Sequence, residues 1–69
     1  MTDTSTPDMI RSARTTLGLT QQQLGERIGY AGRTAELTIQ GIESGRRKVP
    51  RDKVQKLAEL LSINPIRLL

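Results

Sequence analysis

"LTQQQLGERIGYAGRTAELTIQGIESG", residues 19–45, decides how the chain folds. At its front Thr20 can cap a helix while Gln23, three residues on, reaches back to complete a capping box. Leu19 and Leu24 occupy the flanking positions of a hydrophobic staple, so a helix is predicted over about 21–28, burying Leu24 and Ile28 and stopping at Gly29. Gly25 inside that helix costs about 1 kcal/mol relative to alanine. Close approach of another helix is the expected reason, a loosely packed helix the alternative. Further on, Ala35, Ile39 and Ile42 fall at i, i+4 and i+7, and Gly45 supplies the stop. This third helix leaves Arg33, Thr34, Glu36, Leu37, Gln40, Gly41 and Ser44 pointing away from any core.

Outside this stretch the pattern stays helical. Ile10, Ala13 and Leu17 fall at i, i+3 and i+7 behind Pro7, and Gly18 supplies a left-handed stop, so helix one is expected over about 7–17. Pro50 opens helix four, in which Val54, Leu57, Ala58 and Leu61 make a core-facing stripe. Asn64-Pro65 pairs a cap residue with proline at a first helical position and starts a last short helix carrying Ile66, Leu68 and Leu69. With no strand pattern and no repeat, the fold class is all-α: a compact five-helix domain over residues 7–69 behind a polar, flexible tail, residues 1–6.

Composition narrows the function. A chain of 69 residues is one domain at most and buries only about 60% of the surface its unfolded form exposes. It has no cysteine and no histidine, which excludes disulfide staples, leaves almost no route to a zinc site and removes the commonest general base. Tight helix packing and oligomerisation remain as ways to hold a small core. The lone aromatic, Tyr30, excludes a stacking platform for single strands. Eleven Lys and Arg against seven Asp and Glu give +4 and a pI near 10.4, which favours an anionic partner. Within residues 46–56 stand Arg46, Arg47, Lys48, Arg51, Lys53 and Lys56, opposed only by Asp52; the blander reading is a solvated face. No apolar run approaches the roughly 20 residues of a membrane span, and no signal segment opens the chain, so a soluble cytoplasmic protein is expected.

Two short helices joined by a glycine-bearing connection, the second with a polar outer face, match a helix-turn-helix. "IRSARTTLGLTQQQLGERIG", "TIQGIESGRRKVP" and "KVQKLAELLSINPIRLL" together resemble the DNA-binding domain of lambdoid phage repressors and Cro proteins, over about residues 9–69. The ordered set Gly18-Leu19-Thr20-Gln21, Leu24, Ile39, Ile42-Glu43-Ser44-Gly45, Pro50 and Leu57-Ala58 carries the resemblance. One departure stands out. The family pattern places about five residues between the glycine ending helix two and the isoleucine equivalent to Ile39, whereas here nine intervene, Tyr30 to Thr38. The surplus is close to one helical turn. It extends either the helix or the loop; Gly32 favours the loop, with helix three starting near Arg33 or Thr34.

The outer face of helix three suits the major groove, whose width admits an α-helix. Arg33, Thr34, Glu36, Leu37, Thr38, Gln40 and Gly41 are the expected base-contacting residues. Gln40 can pair with adenine, Glu36 can accept from a cytosine amine and Leu37 can touch a thymine methyl, while Gly41 allows close backbone approach. Thr20, Gln21, Arg46, Arg47, Lys48 and Arg51 are expected on phosphate, with capping as the rival role for Gln21. The resemblance further implies an ion pair between Arg14 and Glu43, tying helix one to the end of helix three. Ile63, Pro65, Ile66, Leu68 and Leu69 form the expected dimer patch, with closure of the monomer core as the alternative role.

These expectations add up to a sequence-specific regulator bound to double-stranded DNA as a homodimer, a Cro-like or autorepressing repressor that needs no cofactor. The alternatives are an antitoxin that also binds a toxin, or a restriction-modification controller. An enzyme is not expected, because no nucleophile–base or metal constellation appears.

Overall fold

Ser5 caps the first helix: its hydroxyl accepts from the Asp8 backbone N–H at 3.3 Å, with Pro7 in the first turn, where a missing N–H costs nothing. The computed structural model describes residues 5–68. Their four α-helices are α1 (Thr6–Thr16), α2 (Gln21–Arg27), α3 (Gly32–Glu43) and α4 (Arg51–Leu61), followed by a 3-10 turn, Pro65–Leu68, and no strand occurs among the described residues. Helix one thus starts one residue before Pro7. Ser5 and Thr6 belong to its cap and first turn, and the remainder of the expected tail, residues 1–4, lies outside the described residues.

The fifth helix is a correction. Pro65 has no N–H to give, and the Arg67 N–H donates to the Asn64 carbonyl at 2.9 Å, a three-residue span that makes a 3-10 turn rather than an α-helix. Asn64 nonetheless caps it, its side-chain oxygen accepting from the Ile66 N–H at 3.0 Å. The Thr6 hydroxyl donates to the Arg67 carbonyl at 3.0 Å, fastening this last turn to the start of α1.

Both halves of the capping box at α2 are present: the Gln23 N–H donates to the Thr20 hydroxyl at 3.0 Å, and the Thr20 N–H to the Gln23 side-chain oxygen at 2.8 Å. Local bonds of this kind let a seven-residue helix, too short to persist alone, start at a defined residue. Ile28 sits just past its end and is fully buried. The turn to α3 is then made of Ile28, Gly29, Tyr30 and Ala31, with Gly29 at φ 108 and Gly32 at φ 53, conformations that favour glycine. Lys53 of α4 closes over this turn, its Nζ 5.3 Å from the Tyr30 ring centroid. α3 starts at Gly32, one residue before the expected Arg33 or Thr34, and right-handed helical dihedrals begin only after Gly32.

The core is assembled from all four helices. Ile10, Leu24, Ile28, Ile39, Ile42 and Leu57 are fully buried, joined by Val54, Ala58, Leu61 and Leu68. Burial of each large side chain contributes about 1.5–3 kcal/mol of transfer free energy, and no helix completes the cluster by itself. Leu17 is a second correction: although its spacing suits the core, it lies one residue past the end of α1 and is 50% exposed. Gly25 packs where helix approach was expected. A Cβ there would stand 2.5 Å from the Ala35 carbonyl oxygen and 2.7 Å from the Ala35 Cα, so the backbones of α2 and α3 meet with no room for a methyl group.

Candidate nucleic-acid interface

α3 turns Ala35, Thr38, Ile39, Ile42 and Glu43 inward. At 3.6 residues per turn, the opposite side carries Arg33, Leu37, Gln40 and Ser44, with Thr34 and Gly41 along one flank and Glu36 on the other. Arg33, Thr34, Leu37, Gln40 and Ser44 are exposed, whereas Glu36 and Gly41 are partly covered. Leu37, 46% exposed, is a large apolar side chain left in solvent at the middle of this face. Thr38 must be removed from the expected readers. It is 3% exposed because it lies three residues past Ala35 and one before Ile39, within the buried stripe, where no base can reach it.

Glu43 closes α3 and anchors the whole face. Its side chain is buried, and its carboxylate accepts from Arg14 Nε at 2.6 Å, from Arg14 Nη2 at 3.1 Å and from Gln21 Nε2 at 3.2 Å. Arg14 uses its remaining nitrogen, Nη1, to reach the Leu19 carbonyl at 2.8 Å. Arg11 completes the cluster, donating from Nη2 to the Glu43 backbone carbonyl at 3.1 Å with its Nε 3.6 Å from the carboxylate. Charge-assisted, two-pronged bonds of this sort fix geometry as well as adding energy. Together they lock α1, the start of α2 and the end of α3 into one arrangement, so the angle at which α3 is presented does not depend on a loop.

Gln21, expected on phosphate, directs its amide inward to Glu43, while the Thr20 hydroxyl is exposed and accepts the cap bond. The roles of Arg11 and Gln21 at Glu43 escaped the sequence reading. One signal was available for Arg11, which lies three residues before Arg14 and so on the same side of α1.

Beyond Ser44 the chain doubles back on α3. The N–H groups of Arg46 and Arg47 both donate to the Gly41 carbonyl, at 3.0 and 3.1 Å. Arg46, Arg47, Lys48 and Arg51 are exposed, and none of them is in an ion pair among the described residues. They adjoin the outer face of α3: Leu37, Gln40, Gly41, Arg46 and Arg47 line one shallow hollow of about 200 Å³. Apolar, hydrogen-bonding and cationic groups thus share one continuous surface, the composition that base edges flanked by phosphates would require.

The expected dimer residues separate. Leu68 is buried in the core, Ile63 is half-buried against it and Pro65 is half-buried, which leaves Ile66, 74% exposed, as the apolar side chain offered to solvent; Leu69 lies outside the described residues. Leu68 is accordingly withdrawn from the patch, since filling the core leaves it nothing to offer a second protomer. Among the described residues no helix is long and apolar enough to cross a membrane, and no group of His, Cys, Asp or Glu is placed to hold a metal ion.

A protein-family model described as helix-turn-helix matches residues 10–68. No curated protein and no solved structure matches the chain.

Proposed function

The chain belongs to the Cro/C1-type helix-turn-helix family of DNA-binding transcription regulators, and on that premise we propose that it is a repressor which reads an operator through the outer face of α3. The observation that carries this reading is the continuity of that face with the cation group: Leu37 and Gln40 border the same hollow as Arg46 and Arg47. A helix lowered into the major groove on this side brings Gln40 to base edges as Arg46, Lys48 and Arg51 meet the flanking backbone. Arg33, Thr34, Glu36 and Leu37 complete the reading set, with Glu36 suited to a cytosine amine. Thr20 stands at the start of α2 with a hydroxyl proton to offer a phosphate, and Gln21 keeps one amide proton beyond its bond to Glu43.

One module of this size makes a small interface, so two protomers on a pseudo-palindrome, with half-site centres about 34–36 Å apart, would supply the affinity. Ile66 and Pro65 form the patch through which we expect the protomers to meet. Occupancy of an operator near a promoter then represses by exclusion of polymerase.

A salt titration tests the proposal. Binding to the DNA upstream of the protein's own gene is measured against scrambled duplex over a range of ionic strength. Three phosphate-neutralising cations per protomer, Arg46, Lys48 and Arg51, predict a slope of log affinity on log salt of roughly −2.7 per protomer and roughly −5.4 for the pair on the operator, from about −0.9 for each. The upstream duplex should be preferred by at least about a thousandfold. Equal, salt-sensitive affinity for both duplexes would reduce the surface to a phosphate patch and end the proposal.

A further inference from the structure

Gly41 occupies a groove-facing position on α3 yet has no side chain with which to read a base. The space above it is filled from elsewhere in the chain. A Cβ built on Gly41 would lie 2.9 Å from Arg47 Cδ, 3.1 Å from Arg47 Cγ and 3.4 Å from Arg47 Nε. The Arg47 stem therefore runs across the outer face of α3, at the height where a side chain of residue 41 would begin, and carries the guanidinium onto that face beside Gln40 and Leu37.

Its backbone is held to the same spot. The bonds from the Arg46 and Arg47 N–H groups to the Gly41 carbonyl pin the loop to the helix end, so the start of the side chain is placed by main-chain bonds rather than by a free loop. Resting the stem on glycine also shields methylene groups that would otherwise face water, a common arrangement for arginine.

We propose that Arg47 is a sequence-reading residue, a substitute reader seated on Gly41, and that its target is a guanine in the major groove next to the base pair read by Gln40. This inference rests on the reading of α3 as the groove helix and reassigns Arg47 from phosphate to base. Guanine is the partner because its O6 and N7 acceptors match the two-pronged guanidinium, the commonest specific arginine contact. Lysine delivers the same charge to a phosphate but not the planar fork.

The test measures affinities of wild type, Arg47→Lys and Gly41→Ala for the upstream operator duplex and for duplexes in which each base pair of a half-site is changed singly. For Arg47→Lys the expected result is loss of discrimination at one G·C pair, about tenfold to a hundredfold, with discrimination elsewhere and the salt slope retained. Gly41→Ala should weaken discrimination at the same pair, because the added methyl displaces a flexible stem at little cost to folding, as thermal unfolding will report. Unchanged discrimination in Arg47→Lys at every base pair would overturn the inference alone and return Arg47 to the phosphate set. A wild-type protein that discriminates at no base pair would overturn the proposed function and this inference with it.

Discussion

Replacing Arg14 by methionine is expected to cost about 3–5 kcal/mol of folding stability, because Glu43 would remain buried with its principal counter-charge gone. Methionine keeps most of the packing volume of the stem, so the loss reports on charge and hydrogen bonding. A chain of 69 residues has in all about 3–10 kcal/mol of stability. The variant should thus be partly unfolded at room temperature, or melt at least about 12 °C below wild type. Adding Glu43→Leu should recover a large part of the loss, since removing both charges leaves no orphan ion. Recovery will be incomplete: the Leu19 carbonyl and the Gln21 amide also lose partners. Urea unfolding of the two single variants and the double variant measures the coupling. If Arg14→Met unfolded at the wild-type midpoint, Glu43 would not be the anchor of α3 described here.

Gly25→Ala should destabilise less, and by a different route. The added Cβ meets backbone atoms of Ala35 at 2.5–2.7 Å, and no rotamer change can relieve a clash with main chain. Alanine would raise helix propensity by about 1 kcal/mol, yet overpacking against a rigid neighbour costs typically 1–3 kcal/mol and occasionally more; here the rigid partner selects the upper end, a net loss of about 2 kcal/mol. The functional loss should exceed the stability loss. α2 and α3 must separate to admit the methyl group, which tilts the reading face relative to Thr20 and the cation group, so operator affinity should fall by at least about tenfold even at temperatures where the variant is folded. Circular dichroism and duplex binding on the same sample separate the two effects. Wild-type affinity in Gly25→Ala would mean that the α2–α3 angle does not set docking.

Features that depend on neighbours in sequence were legible from the chain. The capping box needs only Thr20 and Gln23, and the need for a glycine at position 25 follows from its cost inside a helix. Thr38 was misread because its hydroxyl counts as polar in a binary pattern, although helical geometry puts it beside Ile39 in the buried stripe. Leu17 was misread in the opposite sense, its apolar spacing being correct but the helix ending one residue before it. Arg11 and Gln21 join Glu43 across 32 and 22 residues of chain, and the fold of Arg47 back over Gly41 depends on the path of a loop. Such contacts exist only once the helices have packed. The start of α3 was legible to within one residue, because Gly32 signals a break in right-handed backbone and that break falls at the very start of the helix.

The claim that α3 reads bases through its outer face is tested most directly by selecting duplexes from a random pool with wild type and with Gln40→Arg. The exposed Gln40 side chain takes no part in the core, so the substitution should leave the fold intact. The prediction is a consensus that changes at one base pair in each half-site, from A·T to G·C, in keeping with the preferences of the two side chains, while all other positions persist. Identical consensus sequences from both proteins, or none from wild type, would contradict it.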